Sequence, residues 1–249
     1  MAQDHPTDPD GFDAASAFAH VDAWVFDLDN TLYPPDVDLF KEVGQRITTY
    51  VAALYGIDGL SAKALQMYMY QRYGTSLRGL MEEDGIDPHA FMDFVHDVNH
   101  GVLDENPFLR AAIAALPGKR YILTNGSVKH AETVSRKLGL DNLFHGVFDV
   151  AAAGWTPKPR PEPYRIFLDR YGVDPTRAAM FEDMTKNLVV PHELGMRTVL
   201  VVGKGGEALD HREPWEKIAT KDAHVDVVTD DLARFLAGVR AQRRVAAAT

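Results

Sequence analysis

The chain has 249 residues, 46% hydrophobic and 25% charged, enough for one large core or a core with a smaller subdomain. Its net charge of −10 argues against a general nucleic-acid binder, because such proteins present a basic stripe. There is no cysteine, so disulfides, thiolate catalysis and zinc–thiolate sites are excluded. No apolar run could cross a bilayer, and residues 1–20 lack the features of a secretory signal. We expect a cytoplasmic protein with a mobile leader over residues 1–20 and no membrane or nucleic-acid polymer as partner.

Short apolar runs alternate with helical patterns along most of the chain. The predicted strands are residues 23–26, 120–123, 146–150, 178–181, 197–202 and 225–228. The helical patterns between the later strands cover residues 130–137, 161–171 and 188–194. Alternation of this kind predicts right-handed βαβ units. We therefore expect an α/β fold with a Rossmann-like parallel sheet.

The segment between the first two predicted strands is too long for an ordinary crossover. It contains only helical patterns separated by turn sequences, over residues 39–54, 61–73, 77–83, 88–100 and 108–116. A crossover needs one helix, so we interpret residues 37–105 as an inserted all-helical subdomain and residues 108–116 as the crossover proper. The α/β core is then predicted over residues 21–36 and 106–238, with an Ala/Arg-rich tail over residues 239–249.

Polar side chains follow several of the predicted strands at the point where each strand ends. Asp27 and Asp29 follow the first strand in WVFDLDNTLYPP. Like charges this close repel each other, and burying them is costly without compensation. The other candidates after strand ends, or shortly before the 161–171 helix, are Thr124, Asn125, Gly126, Lys158, Glu182 and Asp183. Because ligands of parallel sheets bind at the carboxyl ends of the strands, these groups are expected to converge.

The converging groups suit a metal ion and a phosphoryl group. Asp27, Asp29 and Asp183 supply the hard oxygen ligands that Mg²⁺ prefers, which would offset their mutual repulsion. A metal-screened carboxylate facing a phosphorus centre can act as a nucleophile, and a second carboxyl group can serve as general acid and base.

The remaining groups suit the oxygens of a phosphate. The Thr124 hydroxyl and the backbone N–H groups of Asn125 and Gly126 can donate hydrogen bonds to non-bridging oxygens. Lys158 adds a cation at the same edge of the sheet. The sequence therefore predicts a phosphate-binding site beside the carboxylates.

In chain order, the sequence resembles the four motifs of the haloacid dehalogenase (HAD) superfamily: Asp27 with Asp29, then Thr124, then Lys158, then Glu182 with Asp183. The resemblance runs from about residue 21 to residue 228, and the insertion at 37–105 matches that superfamily's C1 cap in position and helical character. DLDNTLYP, TNG, KPxPxxY and a Glu-Asp-x-x-x-Asn pattern ending at Asn187 are similar to the pyrimidine 5′-nucleotidase subgroup.

The resemblance implies a Mg²⁺-dependent phosphomonoesterase that works through an aspartyl-phosphate. Asp27 would be the nucleophile and a metal ligand. Asp29 would be the general acid and base, with its backbone carbonyl on the metal.

The other motifs are also assigned by this resemblance. Thr124 and Lys158 would bind the phosphoryl group. Asp183 would ligate Mg²⁺ directly, Glu182 would support the metal shell, and Asn187, where some relatives carry aspartate, would have a secondary role.

Three other functions compete with this one. A haloacid dehalogenase needs neither metal nor the second aspartate, so Asp29 and the acidic pair count against it. A phosphomutase would keep all four motifs and differ in how its cap excludes water. A non-catalytic binding protein on the same scaffold should have lost a catalytic position, and none is missing.

The substrate follows only from the subgroup resemblance, which favours a pyrimidine nucleoside 5′-monophosphate. Sugar phosphates and pyridoxal phosphate stay open as small phosphorylated metabolites. Candidate contacts to the leaving group are Tyr33, Arg72, Arg78 and His96. His96 and His100 also have a spacing that can bind zinc from one helix face, but no third ligand is evident, so we expect no zinc site.

Overall fold

The computed structural model describes residues 14–204 and 222–246, and its described strands form one six-stranded parallel sheet. The strands are β1 Ala23–Phe26, β2 Lys119–Leu123, β3 Gly146–Phe148, β4 Ala178–Glu182, β5 Arg197–Val201 and β6 Val227–Thr229. Their order is β3-β2-β1-β4-β5-β6, so the chain order reverses at β1. An open parallel sheet binds ligands beyond the carboxyl ends of the strands at such a reversal. The predicted α/β fold is confirmed.

Helices cover the sheet, and their ends follow local capping chemistry. They are α1 Ala14–Phe18, α2 Leu39–Tyr55, α3 Gly59–Tyr73, α4 Ser76–Asp84, α5 Pro88–Val95, α6 Pro107–Ala114, α7 Val128–Lys137, α8 Pro161–Tyr171, α9 Val189–Glu193 and α10 Leu232–Ala246. Asp58 and Asp87 accept hydrogen bonds from the first-turn N–H groups of α3 and α5. Gly56 and Gly85 end α2 and α4 in the left-handed conformation. In the described part of the chain, no helix is both long and apolar enough to span a membrane.

Both faces of the sheet are buried in apolar clusters. Successive strand residues point to opposite faces, so each strand contributes side chains to both clusters. Trp24 and Phe26 of β1 lie in one apolar cluster, together with Phe181 of β4. The Phe26 and Phe181 rings stack with centroids 4.7 Å apart. Val25 lies in the cluster on the other face. The strand ends that carry the polar residues are therefore held by apolar packing on both sides.

Four helices, α2 to α5, lie between β1 and the crossover helix α6 and have a hydrophobic cluster of their own. Its buried members from these helices are Val43, Val51, Ala62, Met69, Leu77, Leu80, Phe91, Met92 and Val95. Val150, which follows β3, completes the same cluster. We call α2 to α5 the helical insertion; a residue of the α/β core is buried within its apolar packing.

Several predicted boundaries are wrong, and side-chain hydrogen bonds explain two of them. The helix predicted over residues 88–100 ends at Val95, and the Asn99 side chain begins a separate 3₁₀ turn, His100–Val102. The strand predicted over 146–150 ends at Phe148, where the Asp149 carboxylate accepts from the backbone N–H groups of Val128 and Ala152. Such side-chain bonds compete with regular secondary structure.

The ends of the core also differ from the prediction. Residues 1–13 of the predicted leader lie outside the described residues, but α1 is ordered and Phe18 is fully buried against Trp24 and Phe235. The predicted tail continues helix α10 as far as Ala246, and Val239 is buried. Residues 247–249 lie outside the described part. The core therefore reaches beyond residues 21–238 at both ends.

Gly118 provides a test of the turn that begins β2. It has φ +79°, and a Cβ atom there would lie 2.0 Å from the Asp22 carbonyl oxygen, which accepts from Lys119 N at 2.8 Å. Gly172 also has positive φ, +59°, but no atom within 4 Å of its Cβ position. We expect Gly172→Ala to lower the free energy of unfolding by about 1–2 kcal/mol and Gly118→Ala by about another 1–3 kcal/mol. Denaturant titration of both variants measures this, and equal losses would contradict the close approach.

Candidate active site

The carboxyl ends of β1, β2 and β4 lie level with one another. Phe26 is paired with Ile122 of β2 and Phe181 of β4. The backbone N–H of Asp27 continues the ladder to the Phe181 carbonyl at 2.9 Å. Asp27, Thr124 and Asp183 therefore leave three adjacent strands at one edge of the sheet, as the sequence predicts.

Lys158 is the centre of the polar cluster at this edge. Its ammonium donates to Asp27 Oδ1 at 2.7 Å, to Glu182 Oε1 at 2.6 Å and to the Leu123 carbonyl at 3.0 Å. Only 2% of Lys158 is exposed. A lysine ammonium has three protons, so all of its donors are used here. A buried cation with full hydrogen bonding allows two carboxylates to be buried beside it.

The pKa values of the two carboxyl groups that bind Lys158, Asp27 and Glu182, shift in opposite directions. Burial raises the pKa of Asp27 well above its ordinary value; Lys158 opposes this, and the charges of Glu182 and Asp183 add to it. Burial also acts on Glu182, but Lys158 and the hydrogen bonds that Glu182 accepts lower its pKa overall. The pKa of Lys158 is raised, because its carboxylate partners outweigh its burial. Asp27 is the carboxylate whose charge most needs a further cation.

The Asn125 side chain binds the backbone of Lys158 and so fixes the position of the lysine. Its amide Nδ2 donates to the Lys158 carbonyl at 3.2 Å, and its Oδ1 accepts from Lys158 N at 2.8 Å. This paired contact joins the loop after β2 to the loop before α8. The position of the ammonium is therefore set by the backbone on both sides of the site.

Thr124 is buried at the end of β2, where its backbone N–H donates to the Phe148 carbonyl at 3.0 Å. Its hydroxyl oxygen accepts from the Gly126 N–H at 2.9 Å. The prediction that this N–H faces a phosphoryl oxygen is not what the structure shows. A hydroxyl that accepts one hydrogen bond can still donate another, so Thr124 keeps its donor.

Asp27, Glu182 and Asp183 are the one group of three acidic, histidine or cysteine residues in the described ranges whose ligand atoms all lie within 4.8 Å of one another. Glu182 already accepts from Lys158, from Asn187 Nδ2 at 2.7 Å and from Met184 N at 2.9 Å. Asp183 accepts a contact of 3.3 Å from Asn30 Nδ2.

This donor set fits a hard divalent cation. Carboxylate oxygens at one sheet edge are the ligands that Mg²⁺ prefers. Within the described residues, the buried oxygens Asn30 Oδ1 and Asn187 Oδ1 also have no hydrogen-bond partner. The engaged oxygens of Glu182 make it a support for Lys158, and leave Asp27 and Asp183 as the carboxylates best placed to hold the ion.

Asp29 has a different environment from Asp27. Its Oδ1 accepts from the Tyr33 hydroxyl at 2.6 Å and lies 3.0 Å from His130 Nε2. Burial raises the pKa of Asp29, but His130 and the Tyr33 hydrogen bond outweigh it and lower the pKa overall. The two aspartates are therefore separated both in their partners and in the direction of their pKa shifts, a pattern typical of a pair with different chemical roles.

The sequence did not predict His130, although its position carried a signal. His130 lies in the first turn of α7, and α7 begins right after the Thr124–Gly126 turn, so its side chain can face the same edge as the strand ends. Tyr33, expected to contact the leaving group, instead binds Asp29.

The other residues expected near the substrate divide into two kinds. Arg72 donates to the neighbouring Tyr73 hydroxyl, and Arg78 pairs with Glu82 at 2.5 Å, so the hydrogen bonds found for both stay within the helical insertion. His96 does reach the core, where Nδ1 lies 3.1 Å from Ser127 Oγ. His96 and His100 do not belong to any three-ligand group found in the described part of the chain.

The amino-acid sequence matches the profile of a known protein family. The profile described as haloacid dehalogenase-like hydrolase matches residues 21–188. The chain belongs to this hydrolase family. The match includes β1 to β4 and all of the clustered acidic residues.

Known proteins resemble the chain over most of its length. Phosphate metabolism protein 8 of Saccharomyces cerevisiae is 26% identical over 215 residues, which is 79% of this chain and 65% of the yeast protein. CbbY of Rhodobacter sphaeroides, solved in complex with phosphate, has 19% identity and a TM-score of 0.57, covering 88% of this chain and 99% of that one. A HAD phosphatase of Thermococcus onnurineus has 19% identity and a TM-score of 0.56, covering 88% and 100%. At these identities, the two structures establish a shared fold.

Removal of the Lys158 charge should destabilise the protein strongly. Lys158→Met leaves Asp27 and Glu182 buried together without their cation, which costs about 3–5 kcal/mol. Lys129→Met is the matched control, because Lys129 is 80% exposed and pairs with Asp93, 66% exposed, so that water screens this ion pair and its loss should change stability little. Denaturant titration in the presence of EDTA compares the two free energies of unfolding. A Lys158→Met loss no larger than that of the control would contradict the central role of the ammonium.

His96 should make the stability depend on pH. Burial, followed by the neighbouring His130, lowers the pKa of His96 from 6.5 to about 3. The unfolded chain binds this proton near pH 6.5 and the folded chain only near pH 3, so the stability is complete above pH 6.5 and is lost as the pH falls. We expect His96→Phe, which keeps a ring against His130, to remove up to about 1.4 kcal/mol per pH unit of the slope between these values. Urea titrations from pH 4 to 7.5 give both slopes, which must differ if His96 is buried in its neutral form.

Proposed function

We propose that the protein is a Mg²⁺-dependent phosphomonoesterase with Asp27 as its nucleophile. One observation carries the proposal: the Lys158 ammonium, 2.7 Å from Asp27 Oδ1, fixes this carboxylate between the end of β2, with Thr124, and the end of β4, with Asp183. A nucleophile, a hydroxyl donor, a cation and a metal ligand then surround one small volume. Family membership supports a hydrolase.

The metal would be held by the carboxylates of Asp27 and Asp183 and by the backbone carbonyl of Asp29. Glu182 would hold Lys158, through the 2.6 Å contact, and reach the ion at most through water. When bound, Mg²⁺ supplies positive charge that neutralises the phosphate and screens Asp27. It would also offset the unfavourable burial that raises the Asp27 pKa.

The chain's own residues would bind and orient the phosphate. The Thr124 hydroxyl and the Asn125 N–H would donate to non-bridging oxygens. Lys158, whose three protons are engaged, would hold Asp27 in line and contribute its positive charge near the same oxygens. Fixed donors of this kind stabilise the charge that develops as the phosphoryl group is transferred.

The reaction would proceed in two steps. An Asp27 oxygen forms a bond to phosphorus while the ester P–O bond breaks, and Asp29 gives its proton to the departing alkoxide. A water molecule then attacks the aspartyl-phosphate, Asp29 takes the water's proton, and the Asp27–phosphorus bond breaks to release inorganic phosphate. The raised pKa of Asp27 disfavours the ionised nucleophile until the metal is bound, and the lowered pKa of Asp29 suits the base of the second step; Asp29 must bind a proton before the first step.

The helical insertion would act as a C1 cap over residues 37–105, with the core formed by residues 21–36 and the chain from residue 106 onward. It contacts the core beside the site through His96 with Ser127, through Asp93 with Lys129 at 2.8 Å, and through Tyr70 with Lys186. Lys186 also lies 4.3 Å from the centre of the Tyr70 ring. A cap in this position would exclude water and select the leaving group.

A pyrimidine nucleoside 5′-monophosphate is the substrate we favour, from the DLDNTLYP and TNG motifs of that subgroup. The yeast relative is named for phosphate metabolism, and CbbY was solved with phosphate, which agrees with a small phosphorylated metabolite. Sugar phosphates and pyridoxal phosphate are the alternatives within the same chemistry. A phosphomutase differs by transferring the phosphoryl group to a second substrate position instead of to water.

The chemistry is tested with p-nitrophenyl phosphate. We expect turnover with Mg²⁺ that EDTA abolishes and Mg²⁺ restores, a loss of about 10³-fold or more in Asp27→Asn, and a loss of about 10²–10⁴-fold in Asp29→Ala. Asp141→Asn is the matched control, because the Asp141 carboxylate is 52% exposed and pairs with Arg110 instead of a residue of the site. It should keep wild-type rates. Full activity in Asp27→Asn, or in EDTA, would refute the mechanism.

The same assay over UMP, CMP, purine monophosphates, sugar phosphates and pyridoxal phosphate tests the substrate class. A preference for UMP and CMP in kcat/KM supports the nucleotidase proposal. Equal rates across the panel would exclude it, and phosphate retained in an isomerised sugar phosphate would indicate a mutase.

A further inference from the structure

The carboxylate of Asp29 is held by two buried groups that reach the same oxygen. Tyr33 OH lies 2.6 Å and His130 Nε2 3.0 Å from Oδ1. The His130 side chain is 0% exposed, whereas that of Asp29 is 13% exposed. Two hydrogen bonds to one oxygen restrict the side-chain rotamer and leave Oδ2 outside both contacts. Proton transfer depends steeply on such an orientation.

His130 is itself fixed from its far side by His100. His100 Nε2 lies 3.0 Å from His130 Nδ1. When Asp29 is ionised it can only accept, so His130 Nε2 carries the proton of that contact. The other ring nitrogen of His130, Nδ1, faces His100, so the ring is held at both of its nitrogens.

The plane of the His130 ring is set by a third histidine. His96 stacks on it with ring centroids 4.3 Å apart and an angle of 11° between the planes. His96 is held in turn by Ser127, whose hydroxyl oxygen lies 3.1 Å from Nδ1. The imidazole of His130 is thus held at both ring nitrogens and across its plane by neighbouring groups.

We infer that His130 is a positioning residue that holds Asp29 in the orientation for proton transfer, with His100 holding the far side of its ring. This inference rests on the proposed function, in which Asp29 is the acid and base. His96 and His100 belong to the segment between helix α5 and the end of the 3₁₀ turn His100–Val102, whereas His130 belongs to the core helix α7. The acid and base is therefore fully held only when this segment is docked on the core.

Two leaving groups separate positioning from a general structural role. Nitrophenolate leaves without protonation, so the first step with p-nitrophenyl phosphate does not need Asp29, while hydrolysis of the aspartyl-phosphate does. For His130→Leu we expect a stoichiometric burst of nitrophenolate followed by turnover about 10–100-fold slower than wild type. With an alkyl phosphate such as glycerol 2-phosphate, both steps need the proton, so we expect a similar loss and no burst.

His130→Gln is the conservative variant, because its amide N–H can donate from nearly the position of Nε2. It should recover most of the turnover that His130→Leu loses. His145→Leu is the matched control, since His145 is exposed and accepts a hydrogen bond only from Arg120 N among its contacts in the described residues. If His130→Leu does not fold, His100→Leu tests the same chain of contacts at a partly exposed position, with a smaller loss and the same burst. Equal loss of both steps without a burst, or no rescue by glutamine, would overturn the inference.

Crystal structures of the folded variants decide the point independently of activity. We expect the Asp29 carboxylate of His130→Leu to leave its place beside Tyr33 OH, and that of His130→Gln to keep it. An unmoved Asp29 in His130→Leu would refute positioning by His130. If the wild type hydrolyses no phosphate ester, the proposed function fails by itself, and this comparison still shows whether His130 orients Asp29.

Discussion

The ion pairs of the buried Lys158 ammonium are the interaction on which the site depends. Asp27 follows a central strand buried on both faces, so its charge could not persist there without a cation. Lys158 joins Asp27 to Glu182 and to the Leu123 carbonyl, and so connects the ends of β1, β2 and β4 through one group. The balance is incomplete, because Asp27 still has a raised pKa. That residual cost makes the edge of the sheet receptive to a second cation.

The helical insertion gives this edge its second wall. It carries an apolar cluster of its own, and Val150 from the core is buried within that cluster. Its polar contacts with the core lie around the site: Asp93 with Lys129, His96 with Ser127 and Tyr70 with Lys186. The two aspartates consequently depend on different parts of the molecule. Asp27 is held within the α/β core, whereas the support of Asp29 extends through His130 to His100 beside the insertion.

Prediction from the sequence gives the correct elements where the spacing of apolar residues decides the structure. It gives wrong element ends where single side-chain hydrogen bonds decide it. The six strands were placed because buried parallel strands form continuous apolar runs. The end of α5 at Val95 and the end of β3 at Phe148 depend on the side chains of Asn99 and Asp149, whose partners cannot be known before the chain folds. The residues of α10 from 239 onward are predicted as a tail, because their Ala/Arg-rich composition has little apolar contrast.

The α/β class, the helices between β1 and β2 and the convergence of Asp27, Thr124 and Asp183 on one sheet edge follow from the amino-acid sequence, because residues that follow parallel strands meet there. Which side chains touch depends on the folded chain as a whole. The tertiary structure assigned the Asn125 amide to Lys158, and it brought His130 and Tyr33 to Asp29. Contacts of this kind join residues up to 101 positions apart through side-chain rotamers, and no local pattern encodes them.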